Sequence, residues 1–306
     1  MSSKTKKNKY EIDMCSGSIM DKLIAFSLPL MLSGILQLMF NAVDIVVVGK
    51  FSGSEALAAV GSTSALINVF TNLFIGVSLG TNVLAARFYA SGREKEMSET
   101  VHTSLTFALI SGIVMSFVGL FCSRGALELM TTPEDVIGQA ALYMKIYFLG
   151  MPFFMLYNYG AAVLRAVGDT KRPLYFLVVS GILNAGLNMF LVIVFHMGVE
   201  GVAIATVISQ MVSCILVLHC LYHCEGSYQL RFSKLTIKKQ YLKPIFQVGI
   251  PAGIQSTVIN FSNVLLQSSV NSFGSIAMAG YTAANNIFGF LFVAVNSVTQ
   301  AWTRYW

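Results

Sequence analysis

Asp44 is the acid of this sequence best placed to do chemistry, because it stands inside a long apolar segment, within Gln37-Leu-Met-Phe-Asn41-Ala-Val-Asp44. An ionised carboxylate near mid-membrane costs ~2.5–3.5 kcal/mol or more, so it must face a polar cavity or be protonated. Such a group can take up and release a proton, or ligate a cation, as a cavity fills and empties. Asn41 lies three residues earlier on the same helical face and can orient it, with Gln37 one turn further back. Asn184 and Asn188 form a second pair one turn apart, and Thr206 and Gln210 a third. Intramembrane amides and hydroxyls often serve only to join helices, at ~0.6 kcal/mol on average. As a set with Asp44, these six are expected to line one polar pocket.

The remaining reactive residues point away from enzymology. His219, Cys220, His223 and Cys224 make two i,i+4 repeats, but metal ligation would need further convergent ligands, so no metal is expected there. No Ser-His-Asp order, phosphate-cradling glycine loop or acid-rich diphosphate motif is visible. No cofactor is called for, and the chain does not read as an enzyme. Glu94, Glu96 and Glu99 read as a solvated face before a helix, and Lys145 as a side chain that snorkels outward.

The elements that must hold these residues are set by composition. Of 306 residues, 55% are hydrophobic and 11% charged, where a soluble domain carries about 25% charge. Apolar stretches long enough to cross a ~30 Å hydrocarbon core fall near 23–48, 58–85, 101–122, 137–163, 174–195, 201–222, 245–270 and 281–301. In lipid the backbone must satisfy its own hydrogen bonds, so these are helices. The fold class expected is an all-α integral membrane protein: a six-helix N-lobe followed by the first two helices of a repeated second lobe.

Charge fixes orientation. Lys4, Lys6, Lys7, Lys9 and Lys22 precede the first span; Arg87, Arg93 and Lys95 follow the second; Arg165, Lys171 and Arg172 follow the fourth. Arg231, Lys234, Lys238, Lys239 and Lys243 follow the sixth, whereas the alternate loops carry only Lys50 and Arg124. This is the positive-inside pattern with a cytosolic N-terminus, here in a cell membrane of the bacterial inner-membrane type. The net charge of +6 therefore meets anionic lipid rather than nucleic acid, for which no basic stripe with interleaved aromatics exists. The organisation expected is a basic N-terminus (1–22), a six-span lobe (23–222), a basic cytosolic linker (223–244) and a partial second lobe (245–306).

The seventh span echoes the first. Pro29, Asn41, Val48, Phe51, Gly53 and Ser54 recur in order as Pro251, Asn263, Val270, Phe273, Gly274 and Ser275, given a one-residue gap. Both copies have the same orientation, which is a parallel repeat about an axis along the membrane normal. A complete second copy would need six spans and roughly 440 residues. A C-terminally truncated chain is therefore expected, with Trp302 and Trp306 in a tail foreign to the fold.

These stretches carry a family resemblance. Pro29 with Gln37…Asn41-Ala-Val-Asp44…Val48-Gly49, then Ala56-Leu-Ala-Ala-Val-Gly61, resembles the multidrug and toxic compound extrusion (MATE) family. So do Tyr143…Gly150-Met-Pro-Phe, Leu164-Arg-Ala-Val-Gly-Asp-Thr-Lys-Arg-Pro173 and Gly198-Val-Glu-Gly-Val-Ala-Ile-Ala-Thr206-Val-Ile-Ser-Gln210. The resemblance covers Ile24 to Ala301. It implies a twelve-helix antiporter with two lobes around a cavity, exporting small organic, often cationic or amphipathic compounds against inward protons or sodium. It also implies that Asp44 takes the coupling ion, H+ or Na+, with Asn184, Asn188 and Thr206 as its polar partners. Many members carry aspartate where this chain has Asn188, and some a glutamate in the seventh span, which leaves Asp44 the principal candidate. A lipid-linked saccharide flippase of the same broad superfamily and a membrane-embedded enzyme are the rival readings.

Overall fold

The computed structural model describes residues 19–129 and 134–271, together with 288, 289, 292 and 295. Among these residues eight α-helices run in order: α1 Ile19–Phe51, α2 Gly53–Ala90, α3 Glu94–Leu129, α4 Glu134–Leu149, α5 Met151–Ala166, α6 Lys171–Met189, α7 Val199–His223 and α8 Lys239–Asn271. No strand occurs among the described residues. Five of the helices are long and apolar enough to cross a membrane, or six when α4 and α5 count as one bent span. The span expected at 281–301 lies outside the described residues.

The fourth span is a correction to the sequence reading. It is not one helix over 137–163 but two, bent by 49° at Gly150. Pro152 has no N–H to offer the carbonyl of Phe148, which would be orphaned in an apolar interior. The hydroxyl of Ser116 on α3 donates to that carbonyl instead, at 2.7 Å. Gly112, one turn earlier on α3, lets Pro152 approach: a Cβ there would lie 2.5 Å from the proline Cα.

The six-helix lobe packs around a core of Val48, Val60, Met97, Phe148, Met151, Met155, Tyr159, Leu164 and Val202. Its outer faces present Ile24, Leu28, Phe117, Ile182 and Ile215. Large apolar side chains facing outward suit lipid rather than water. Between α6 and α7 a π-helical turn, Phe190–Val194, ends at His196 with φ 54°, the left-handed geometry that stops a helix.

Beyond the lobe, α8 lies along α2, and the contact is backbone to backbone. Gly76 and Gly80 on α2 face Gly249 and Gly253 on α8; a Cβ on Gly253 would sit 2.5 Å from the Leu73 carbonyl, and one on Gly249 2.5 Å from the Val77 Cα. Small residues four apart on both helices allow this approach.

The basic connections meet at one end. The Arg231 N–H donates to Nε2 of His102 on α3 at 3.0 Å. Lys238 pairs with Glu99, Tyr241 packs edge-on against Phe88 at 6.1 Å, and Arg172 at the start of α6 reaches Cys220 and Cys224 at the end of α7. Glu99 is therefore a partner of the linker as well as part of a solvated face.

Candidate functional site

Asp44 reaches its partners because α1 and α6 cross closely. Gly181 on α6 has no Cβ, and the ring of Phe40 occupies that space. One turn on from Phe40 stands Asp44, half-buried; two turns on from Gly181 stands Asn188, buried. The side-chain amide of Asn188 donates to Oδ1 of Asp44 in a short hydrogen bond. The same amide nitrogen donates to Oδ1 of Asn184 at 3.3 Å, and the Asn184 amide donates to the Thr206 hydroxyl at 3.4 Å. Thr206 passes its own proton to the Val202 carbonyl at 3.0 Å. A continuous polar chain thus runs from α1 through α6 to α7.

A second group flanks it. Tyr143 and Tyr147 on α4 stack with ring centroids 6.2 Å apart, both close enough to Asp44 to feel its charge. The Gln210 side chain is hydrogen-bonded to the Tyr147 hydroxyl. Two acceptors here are buried without a partner, Oδ1 of Asn188 and Oε1 of Gln210. Buried polar atoms are normally satisfied, so these oxygens are acceptors that a donor or a cation entering the site would meet.

Of the residues singled out in the sequence, Asp44, Asn184, Asn188 and Thr206 are joined directly and Gln210 lies among the flanking tyrosines. Gln37 and Asn41 are exposed and do not enter the hydrogen-bond chain. Asn41 follows Phe40 directly, and with that ring turned onto Gly181 it lies off the face that meets α6. Tyr143 and Tyr147 were not read as pocket residues; their i,i+4 spacing on an apolar helix was the available signal. Among the described residues no group of three or more His, Cys, Asp or Glu is placed to hold a metal.

The Leu164–Pro173 stretch serves the site structurally. Gly168 at φ 93° turns the chain after α5. Asp169 then accepts the Arg172 N–H at 3.0 Å, starting α6 at the register that brings Asn184 and Asn188 inward.

A helical, multi-pass membrane protein with one amide-clamped carboxyl between its helices is the class these features define. The chain belongs to the MatE family, whose model matches residues 29–190. It is 33% identical over 279 residues to the probable multidrug resistance protein YoeA of Bacillus subtilis, covering 88% of this chain and 60% of that protein. It is 27% identical to the probable multidrug resistance protein NorM of Thermotoga maritima, covering 93% and 62%. The chain thus spans about three fifths of the length of these relatives. Its fold matches a MOP-superfamily transporter from Pyrococcus furiosus with a TM-score of 0.88 at 24% identity, covering 98% of this chain and 67% of that one.

Proposed function

We propose that this chain supplies the ion-coupling lobe of a multidrug efflux antiporter, with Asp44 as the group that exchanges a proton or sodium ion. The observation that carries this reading is the hydrogen bond from Asn188 to Asp44 and its continuation to Thr206. An amide is suited to this partnership because it donates to a carboxylate and, turned over, accepts from a carboxylic acid. Ion uptake cancels the carboxylate charge, removes the reason for the amide's orientation and so alters how α1 rests on α6. The unpartnered oxygens of Asn188 and Gln210 offer acceptors for the incoming ion.

Orientation follows from charge. The connections gathered at the basic end face the cytosol, in the positive-inside sense. The α2–α8 glycine seam lies nearer that end, while Asp44 lies toward the far end of α1. In this reading the coupling ion enters from the side opposite the cytosol. Transport then requires that ion and substrate each bind the two orientations with different affinity. Small organic cations are the substrate class, since a cationic compound and H+ or Na+ compete for one carboxylate, so that uptake of the ion releases the compound.

The test is dye accumulation in everted membrane vesicles from cells producing this chain, driven by an imposed proton or sodium gradient. Accumulation of a fluorescent organic cation that disappears with Asp44→Asn supports the reading. No gradient-driven accumulation, or accumulation unchanged by Asp44→Asn, overturns it.

A further inference from the structure

Transport leaves one cluster of reactive side chains unused. Cys220 and Cys224 lie one turn apart at the end of α7, with sulfurs 4.0 Å from each other. Arg172, from the start of α6, donates Nη1 to both sulfurs at 3.2 Å. Its guanidinium is held by Asp169, Nε to Oδ2 at 3.1 Å, and Tyr228 from the linker hydrogen-bonds Cys224. The hydrogen bond from Cys220, and after it the Arg172 guanidinium, outweigh burial and bring the Cys224 thiol down to about 6. With Cys224 ionised the two sulfurs share the Cys220 proton, and either sulfur can be the donor. Cys220 is half-buried and Cys224 buried, so Cys220 is the open side.

We propose that Cys220 and Cys224 form a reversible thiol–disulfide site, oxidised by hydroperoxides at the basic end of the protein. Residues four apart in a helix have Cα atoms about 6.2 Å apart, inside the ~4.4–6.8 Å that a disulfide spans. Cβ atoms four apart in a helix are ~5–6 Å apart and a disulfide needs ~3.5–4.5 Å, so the end of α7 must also open at Cys224, which already stands outside the helix with ψ 143°. When the shared proton sits on Cys224, the Cys220 thiolate attacks the outer oxygen of a hydroperoxide. The O–O bond breaks, an alkoxide or hydroxide leaves, and Cys220 becomes a sulfenic acid. Cys224 attacks that sulfur; the S–S bond forms, and its proton leaves with the displaced hydroxide as water. One hydroperoxide is reduced by two electrons and two thiols are oxidised. Reduction by cellular thiols reverses the change, as for redox-sensing disulfides in reducing compartments.

The test treats the purified full chain in detergent with one equivalent of hydrogen peroxide and follows peptides by mass spectrometry. The peptide carrying both cysteines is expected to lose two hydrogens and regain them on addition of dithiothreitol, ahead of oxidation at the exposed Cys122. Cys224→Ser leaves a sulfenic acid on Cys220 that dimedone traps, and Arg172→Gln slows oxidation at least tenfold. Oxidation of Cys122 with the pair still reduced overturns the proposal in the unmodified chain, whatever the variants do. An unchanged rate in a helical, well-folded Arg172→Gln protein overturns the role given to Arg172.

Discussion

Asn188 donates its side-chain amide to Asp44 across 144 residues of sequence, and this bond joins α6 to α1. Hydrogen bonds to charged groups contribute ~1.5–3 kcal/mol, while replacing both partners costs less than stranding one. Asn188→Leu should destabilise the folded protein by ~2 kcal/mol, and the Asp44→Asn, Asn188→Leu double variant by less than the sum of the singles. A double-mutant cycle of unfolding in detergent measures this. Additive effects would mean that the two side chains do not interact.

The α2–α8 seam gives a second prediction. Because a side chain at Gly253 meets the Leu73 carbonyl, Gly253→Leu must push the helices apart; overpacking of this kind costs ~1–3 kcal/mol or more. Gly76→Ala and Gly253→Ala should each lower stability in detergent, and the double variant by less than the sum, because one displacement of the helices relieves both clashes. Single variants without effect would contradict the close α2–α8 seam.

Much of this was legible in the sequence, and the exceptions have physical causes. The first six spans follow from hydropathy, since lipid punishes any other arrangement, whereas α8, expected as a seventh, is not among the described helices long and apolar enough to cross a membrane. Asp44, Asn184, Asn188 and Thr206 could be picked because polar groups in apolar helices are few. Periodicity alone could not say which face of α1 meets α6; that depends on Phe40 filling the space left by Gly181, so Gln37 and Asn41 were grouped with Asp44. The break at Gly150 was hidden because both halves are apolar and only Pro152, relieved by Ser116, marks it. The Gly76/Gly80 and Gly249/Gly253 spacings were present, but their pairing is a tertiary fact.

The linker provides a third prediction. His102 accepts the Arg231 N–H on Nε2 and so carries its own proton on Nδ1, facing the Ser98 carbonyl at 2.6 Å. His102→Phe keeps the ring but strands both backbone groups, at ~1–3 kcal/mol. Trypsin cleavage after Arg231 or Lys234 should accelerate about tenfold, since local opening governs such cleavage. An unaltered cleavage rate would show that His102 does not hold the linker.

Thiol labelling supplies a fourth. With the Cys224 thiol lowered to about 6, against ~8.5 for a free cysteine, the pair carries its thiolate above pH 6 and loses it as pH falls through 6. The depressed value also means that this contact stabilises the fold in full above pH ~8.5, the free-thiol value, and that the contribution declines as pH falls from there through about 6. The groups facing the pair are Arg172, Asp169 and Tyr228, with His219 and His223 beside it on α7. Iodoacetamide labelling of Cys220 and Cys224 in the native protein should rise near pH 6, and in Arg172→Gln at a higher pH, since the Cys220 hydrogen bond remains and the guanidinium is lost. Equal profiles in the two proteins would contradict the Arg172 contact.

The central claim is that Asp44 itself changes charge as the coupling ion comes and goes. Infrared difference spectroscopy of the membrane-reconstituted chain, titrated with acid and then with sodium, reads this directly. The account predicts a protonated-carboxyl band that appears on acidification, is absent in Asp44→Asn, and is accompanied by a shift in an amide side-chain band that Asn188→Leu removes. A carboxyl spectrum identical in the native chain and Asp44→Asn, at every pH and sodium level, would contradict it.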